Sequence, residues 1–328
     1  MAYIYRKIIN GNPYYYLRIS KRVKGKIIVK DVAYLGNNIS KIDKSKYKNE
    51  IRNSYRNIKK YIQEEHYIKK IRSKKIKISD YFNLRDLEEI EAIKLHYNNK
   101  FLKFDEKTKN EVYKHFLIDF AFNTTSIEGN TISLNEANKL LKENITPKDK
   151  TLREIHDIKN TEKVFFNLIN SKKNINHNLI IDIHDNLLDN IDDRKGYRIH
   201  DIRVFKASFK PTPFPYIKSD IEILLKNFKL KKNINPFALC SIFHHKFEKI
   251  HPFSDGNGRT GRMLFCFMLM KFGYPPIIIR KKTRNKYIEN LNFCNKADLN
   301  DFSEKHYKKL IRYFKEEYVK SYWENFNV

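Results

Sequence analysis

Between His251 and Arg262 the chain concentrates side chains suited to phosphate chemistry: His251-Pro252-Phe253-Ser254-Asp255-Gly256-Asn257-Gly258-Arg259-Thr260-Gly261-Arg262. Four of the nine glycines of the chain (256, 258, 261 and 273) fall within 18 residues here, so backbone freedom or close approach is needed at this place. The apolar run Met263-Leu264-Phe265-Cys266-Phe267 follows, so a loop feeds a buried helix. Glycines just before a helix N-terminus let backbone N–H groups converge where the helix dipole is positive, which makes a cradle for an anion. Arg259 and Arg262, three apart, share one side of the first turns and could hold neighbouring phosphates. His251 supplies a base that titrates near neutrality, and Asp255 supplies a hard oxygen ligand for Mg²⁺ beside phosphates.

The same glycines fit GxGxxG, which in a dinucleotide-binding fold follows a strand and precedes an acidic residue by about 20 positions. Here Phe237 to Ile250 reads as helix, and residues 280 to 284 are Arg-Lys-Lys-Thr-Arg, so that reading fails. No Lys-Ser or Lys-Thr follows the glycines, which excludes a Walker A loop. His244 and His245 lack the spacing of metal ligands and read as helix residues without a catalytic role.

The stretch from His251 to Arg262 resembles the Fic-domain motif HPFxDGNGRxxR at every fixed position, and His244 to Ile250 resembles its lead-in helix. The looser resemblance runs over about residues 150 to 320 and includes Gly196-Tyr197-Arg198. It implies a protein adenylyltransferase that moves AMP from ATP, with Mg²⁺, onto a Ser, Thr or Tyr hydroxyl of a target protein or of itself. By the same resemblance His251 is the general base and Asp255 the metal ligand. Asn257 and the amides of Gly256 and Gly258 contact the α-phosphate, Arg259 the β-phosphate and Arg262 the γ-phosphate. Phe253 would anchor His251. Residues 203 to 209, with Val204, Phe205 and Lys206, look like the flap that pairs with the target. Tyr287 resembles an adenine-side residue.

A second constellation, Asn123-Thr124-Thr125-Ser126-Ile127-Glu128-Gly129-Asn130, resembles the (S/T)xxxE(G/N) motif of Fic proteins that carry an inhibitory helix, with Thr124, Glu128 and Gly129 in its three positions. A carboxylate at a helix C-terminus opposes the macrodipole and so wants another reason to be there. A charge-assisted pair with Arg262 would supply one and would occupy the γ-phosphate clamp. Removal of AMP, or transfer from another nucleotide, is the alternative on the same fold.

The elements that must position these groups are mostly helical. Val112, Phe116 and Phe120 mark a helix closed by Gly129, and the inhibitory helix is placed at about 110–129. Ser133 with Glu136 forms a capping box, while Thr146-Pro147 and Asn235-Pro236 read as further helix starts. Prolines 211, 213 and 215 keep residues 192 to 216 out of helix. Tyr14–Ile19 and Lys26–Lys30 read as strands of a small sheet that Gly36-Asn37-Asn38 closes, and Lys41 to Lys75 as a basic helix. The fold class is therefore mainly α: a Fic-type helical core (151–328), a helical segment with the inhibitory helix (81–150), and a small basic β-rich module (1–80).

The 328 residues carry 66 Lys and Arg against 38 Asp and Glu, a formal charge of +28, with 41% hydrophobic residues, enough for a core. Residues 1 to 80 hold 22 of the bases and 6 of the acids, so the basicity sits mainly outside the phosphate motif. A nucleic-acid-binding role through that module is the alternative of another class. The longest apolar run, Met263 to Met270, is too short to span a membrane, and Cys240, Cys266 and Cys294 lack metal or redox spacing. A cytoplasmic protein is expected; ATP and a target protein are its partners, and a homodimer is left open.

Overall fold

The computed structural model describes residues 2–23, 26–39, 63–74, 76–204 and 209–326. An antiparallel sheet comes first, in the order β1 (Ala2–Ile9), β2 (Asn12–Val23), β3 (Lys26–Gly36). The β1–β2 connection is Asn10-Gly11, both at positive φ (48° and 76°), the geometry of a tight hairpin whose twist matches its strands. That dipeptide implies a strand on each side of it, and the strand at 2–9 joins the two expected from Tyr14–Ile19 and Lys26–Lys30. Alternation puts Ile4, Tyr15, Leu17 and Leu35 on the buried face. Burial and the nearby Glu65, on helix α1 (helical over 63–72), push the Tyr15 phenol up to about 12. Most of the helix expected over Lys41 to Lys75, including Tyr47, Ile51, Tyr55, Ile58 and Ile62, lies outside the described residues.

The rest is helical: α2 (Leu84–Asn99), α3 (Glu106–Ile127), α4 (Leu134–Glu143), α5 (Leu152–Ile169), α6 (His177–Leu187), α7 (Ile217–Leu230), α8 (Pro236–Ile250), α9 (Asn257–Lys271), α10 (Arg284–Cys294) and α11 (Glu304–Asn325). Helix α9 is buried on every side over residues 259–269, as an apolar run all around a helix requires, and its neighbours are arranged about it. One hydrophobic core runs from Phe82 to Phe326 and joins α2 and α3 to α8, α9 and α11. The boundary expected at residue 150 therefore separates no two cores. No helix among the described residues is long and apolar enough to cross a membrane.

The helix ends are mostly where the capping residues put them. The Ser133–Glu136 box opens α4, and Asn235 caps α8 with Pro236 in its first turn. Thr146-Pro147 opens nothing: residues 144–150 are non-helical, and α5 starts at Leu152 under a second capping box, Thr151 with Glu154. That box satisfies two N–H groups reciprocally, and Glu154 also receives the Thr131 N–H and hydroxyl (2.8 and 2.7 Å), which moves the start from Pro147 to Leu152. Residues 192–204 and 209–213 are irregular, as the prolines dictate.

Candidate active site

Helix α8 ends at His251, which takes a left-handed conformation (φ 54°) and still donates its N–H to Phe247 O at 3.0 Å. Left-handed backbone is costly for a residue with a side chain, so the surroundings must enforce it. The enforcing contacts come from the 192–213 segment. Arg198, nearly buried, donates to His251 O (Nε, 2.9 Å), to His200 O (Nη1, 2.9 Å) and to Thr212 O, while its backbone N–H bonds Pro252 O at 3.0 Å. Phe253 is fully buried and stacks on His184, ring centres 3.7 Å apart. The Asn257 side chain closes the loop, accepting from Phe253 N (2.9 Å) and donating to Phe253 O (2.8 Å).

This frame fixes the protonation of His251. Its Nδ1 lies 3.1 Å from Glu248 O, a carbonyl that can only accept, so Nδ1 carries the proton and Nε2 keeps a free lone pair. Burial lowers the His251 pKa, which leaves the ring neutral at pH 7. Gly256 (φ 74°) turns the chain into α9, and a Cβ there would overlap Leu188. A Cβ at Gly258 would overlap the Glu128 carboxylate, so the bare backbone at 258 is the hollow in which that carboxylate sits.

The two arginines, expected to work side by side, face different partners. Arg262, its side chain 3% exposed, donates from Nε to Thr124 Oγ1 (2.8 Å) and from Nη2 to Thr124 O (2.9 Å) and Glu128 Oε1 (2.7 Å). Thr124 and Glu128 thus both meet Arg262 at the end of α3: Glu128 caps the helix and Gly129 follows at φ 106°. Arg284 donates to Ile127 O at 2.9 Å and secures the same helix end. Arg259 is paired instead with Asp157 of α5, and more weakly with Asp255 at 3.3 Å. Burial raises the Asp157 pKa and Arg259 opposes the rise. Asp255 is also bound by Arg153 and accepts from Gly256 N at 2.6 Å; these cationic and N–H partners outweigh its partial burial and hold its pKa low.

Behind Arg262 lies a buried polar chain. His244 places Nδ1 against Gly261 O (3.1 Å), which makes Nε2 the acceptor for Tyr287 O–H (2.7 Å). His244 is therefore a neutral support, and burial pushes it down to about 3. Tyr287 is buried within this support and is one of the residues that line the cavity. Burial raises Glu248 to about 7. The cavity, about 520 Å³, is walled by Glu128, Val204, His251, Gly258, Arg262 and Tyr287. Phe205 and Lys206 of the expected flap lie outside the described residues.

Asp157 and Arg198 had no assigned role from sequence. A signal for Asp157 existed: Asp157, Asn160 and Thr161 form a polar stripe at helical spacing on the buried side of α5. Among the described residues no group of three or more His, Cys, Asp or Glu is placed to hold a metal by itself.

Comparisons with known proteins bear on the family and the fold. Residues 174–269 match the Fic/DOC family. The protein adenylyltransferase Fic of Aedes aegypti is 32% identical over 199 residues, covering 58% of this chain and 39% of that protein. The protein adenylyltransferase fic-1 of Caenorhabditis elegans is 30% identical over 190 residues, covering 56% of this chain and 37% of the relative. The chain thus spans about two fifths of the length of these curated relatives. Among solved structures, a Fic domain containing signaling protein from Bacteroides thetaiotaomicron superposes with a TM-score of 0.63 at 20% identity, covering 72% of this chain and 93% of that one. Fic-1 from C. elegans gives 0.59 at 24% identity, covering 72% and 69%. The family match over residues 174–269 and the likeness in fold to solved Fic proteins point the same way, and the residues resembling HPFxDGNGRxxR lie around one cavity.

Proposed function

We propose that this chain transfers AMP from ATP to a hydroxyl group of a protein, itself included, and that Glu128 holds the reaction down. One observation carries the reading: a carboxylate from the preceding helix sits on Arg262, over the glycine hollow of a histidine-headed anion cradle. The names of the relatives, protein adenylyltransferases, support the reaction type.

His251 Nε2 takes the proton of the target hydroxyl as the oxygen attacks the α-phosphorus. The new O–Pα bond forms as the bond from Pα to the bridging oxygen breaks, and pyrophosphate leaves with that electron pair. The N–H groups at the start of α9 and the two arginines stabilise the developing charge. Arg262 receives the γ-phosphate only when Glu128 gives it up. The Gly258 amide, more than the Gly256 amide already given to Asp255 or the Asn257 side chain already bound to Phe253, is free to face an α-phosphate. Asp255 fits a Mg²⁺ held jointly with nucleotide phosphates, since a single partly exposed carboxylate is the protein's usual share of such a site. That ion would neutralise the leaving pyrophosphate. Tyr287 would face the base through its ring, and Val204, Phe205 and Lys206 the target. A cytoplasmic location belongs to the same proposal, supported by three buried unpaired cysteines.

The test is incubation of the chain with labelled ATP, Mg²⁺ and a cell lysate. Glu128→Gly should raise labelling of the chain or of a target band, and His251→Ala in the same background should remove it. Equal labelling with and without Glu128 would remove the brake from the proposal, and labelling that survives His251→Ala would remove the reaction.

A further inference from the structure

The basic N-terminal sheet takes no part in the site, yet its open face is ordered in a way that points to a ligand. Register aligns Tyr3 with Arg18, Tyr5 with Tyr16, Lys7 with Tyr14 and Tyr16 with Tyr34. Side chains alternate along a strand, so Tyr3, Tyr5, Lys7, Tyr14, Tyr16, Arg18 and Tyr34 all share the face opposite the buried Ile4, Tyr15, Leu17 and Leu35. The rings form a connected surface: Tyr34 lies 5.2 Å from Tyr16 and 6.3 Å from Tyr14, centre to centre. The Arg18 guanidinium lies 3.5 Å from the centre of the Tyr5 ring and is held there by Asp31 at 2.5 and 2.9 Å. Tyr34 is half exposed, and Val29 on the same face is also 50% exposed.

Residues 2–36 carry eight Lys and Arg against one acid, Asp31, and that acid is already bound to Arg18. A surface of flat rings set among cations fits a polyanion that also offers flat rings. We infer that this face binds single-stranded RNA, with bases stacked on Tyr14, Tyr16 and Tyr34 and phosphates drawn by Lys7 and Arg18. A duplex hides its base faces in its own stack and would leave the tyrosines without partners. RNA is favoured over DNA because the five phenol hydroxyls can donate to and accept from ribose 2′-hydroxyls.

The test uses the full chain and a fluorescently labelled 20-nucleotide oligouridine, followed by anisotropy. Three comparisons define the outcome: the deoxy oligomer of equal length, a duplex RNA, and the Tyr16→Thr, Tyr34→Thr double variant, in which threonine keeps strand propensity. The single strand of RNA should bind most tightly, and the double variant should weaken it about tenfold or more. Lys7→Gln should keep stacking and lower the salt slope by about one phosphate contact. Should the double variant fail to fold by circular dichroism, Tyr34→Thr alone, at a half-exposed position, carries the comparison. Absence of binding, equal affinity for duplex, tighter binding of DNA, or wild-type affinity in the tyrosine variants would each overturn the inference.

Discussion

The surroundings of α9 and the N-terminal sheet are both rich in arginine and aromatic rings, and they use them in opposite ways. Around α9 each cation is matched inside the protein: Arg259 and Asp157 are 3% and 11% exposed, and Arg262 meets Thr124 and Glu128. On the sheet the comparable pair, Arg18 with Asp31, is 20% and 39% exposed, and the other bases of the strands greatly outnumber the one acid. Pairing, more than charge count, therefore separates groups set for internal chemistry from groups left for an outside partner. The +28 of the whole chain describes neither region.

Four measurements would break or sharpen this contrast. Asp157→Ala strands a buried guanidinium whose Nε already lacks a partner, and should cost about 3–5 kcal/mol in urea unfolding. A loss under about 1 kcal/mol would show that Asp255 suffices and that the α9 pairs resemble surface pairs. Glu128→Gln keeps the size of the brake and removes its charge. Initial rates of labelling should rise about tenfold, less than in Glu128→Gly, because the charge-assisted part of the contact with Arg262 is lost; an unchanged rate would mean that the Glu128 charge contributes nothing.

The third measurement is acid unfolding. Burial pushes His244 and His245 down to about 3, whereas in the unfolded chain they titrate near 6.5. The unfolded state thus binds protons first, so stability falls as pH drops from about 6.5 toward 3, by up to about 1.4 kcal/mol per pH unit for each histidine, and is flat in this respect above 6.5. Residues 2–36 contain no histidine, so the sheet should not share this limb. Hydrogen exchange resolved by segment would show it, and equal acid sensitivity in both regions would contradict the assignment. Smallest is Arg18→Ala, expected to change stability by no more than about 1 kcal/mol because its ion pair is partly in water.

Local pattern made much of the site legible. The run from His251 to Arg262 and the Glu128 constellation are each contiguous in sequence, so their resemblance to two short Fic motifs raised the pairing of Glu128 with Arg262, 134 positions apart. Asp157 and Arg198 were not legible in the same way. Each acts on the motif from 102 and 53 residues away, through contacts that only the packing of α5 and of the 192–213 segment creates. The start of α5 illustrates a conflict within local rules, since Thr146-Pro147 and Thr151 with Glu154 are both valid helix openings. The second prevailed because Glu154 also holds Thr131, a tertiary contact invisible in a short window.

The hollow at Gly258 has a consequence for how such a protein could change over time. Under the proposed reaction the inhibitory carboxylate and the incoming nucleotide depend on one vacant side-chain position, so any residue larger than glycine there would obstruct both. Control cannot be retuned at the shared seat without damaging the enzyme. Variation that adjusts it has to arise on α3 or its anchors, such as Arg284 at Ile127 O, where a substitution can loosen Glu128 and leave the cradle intact.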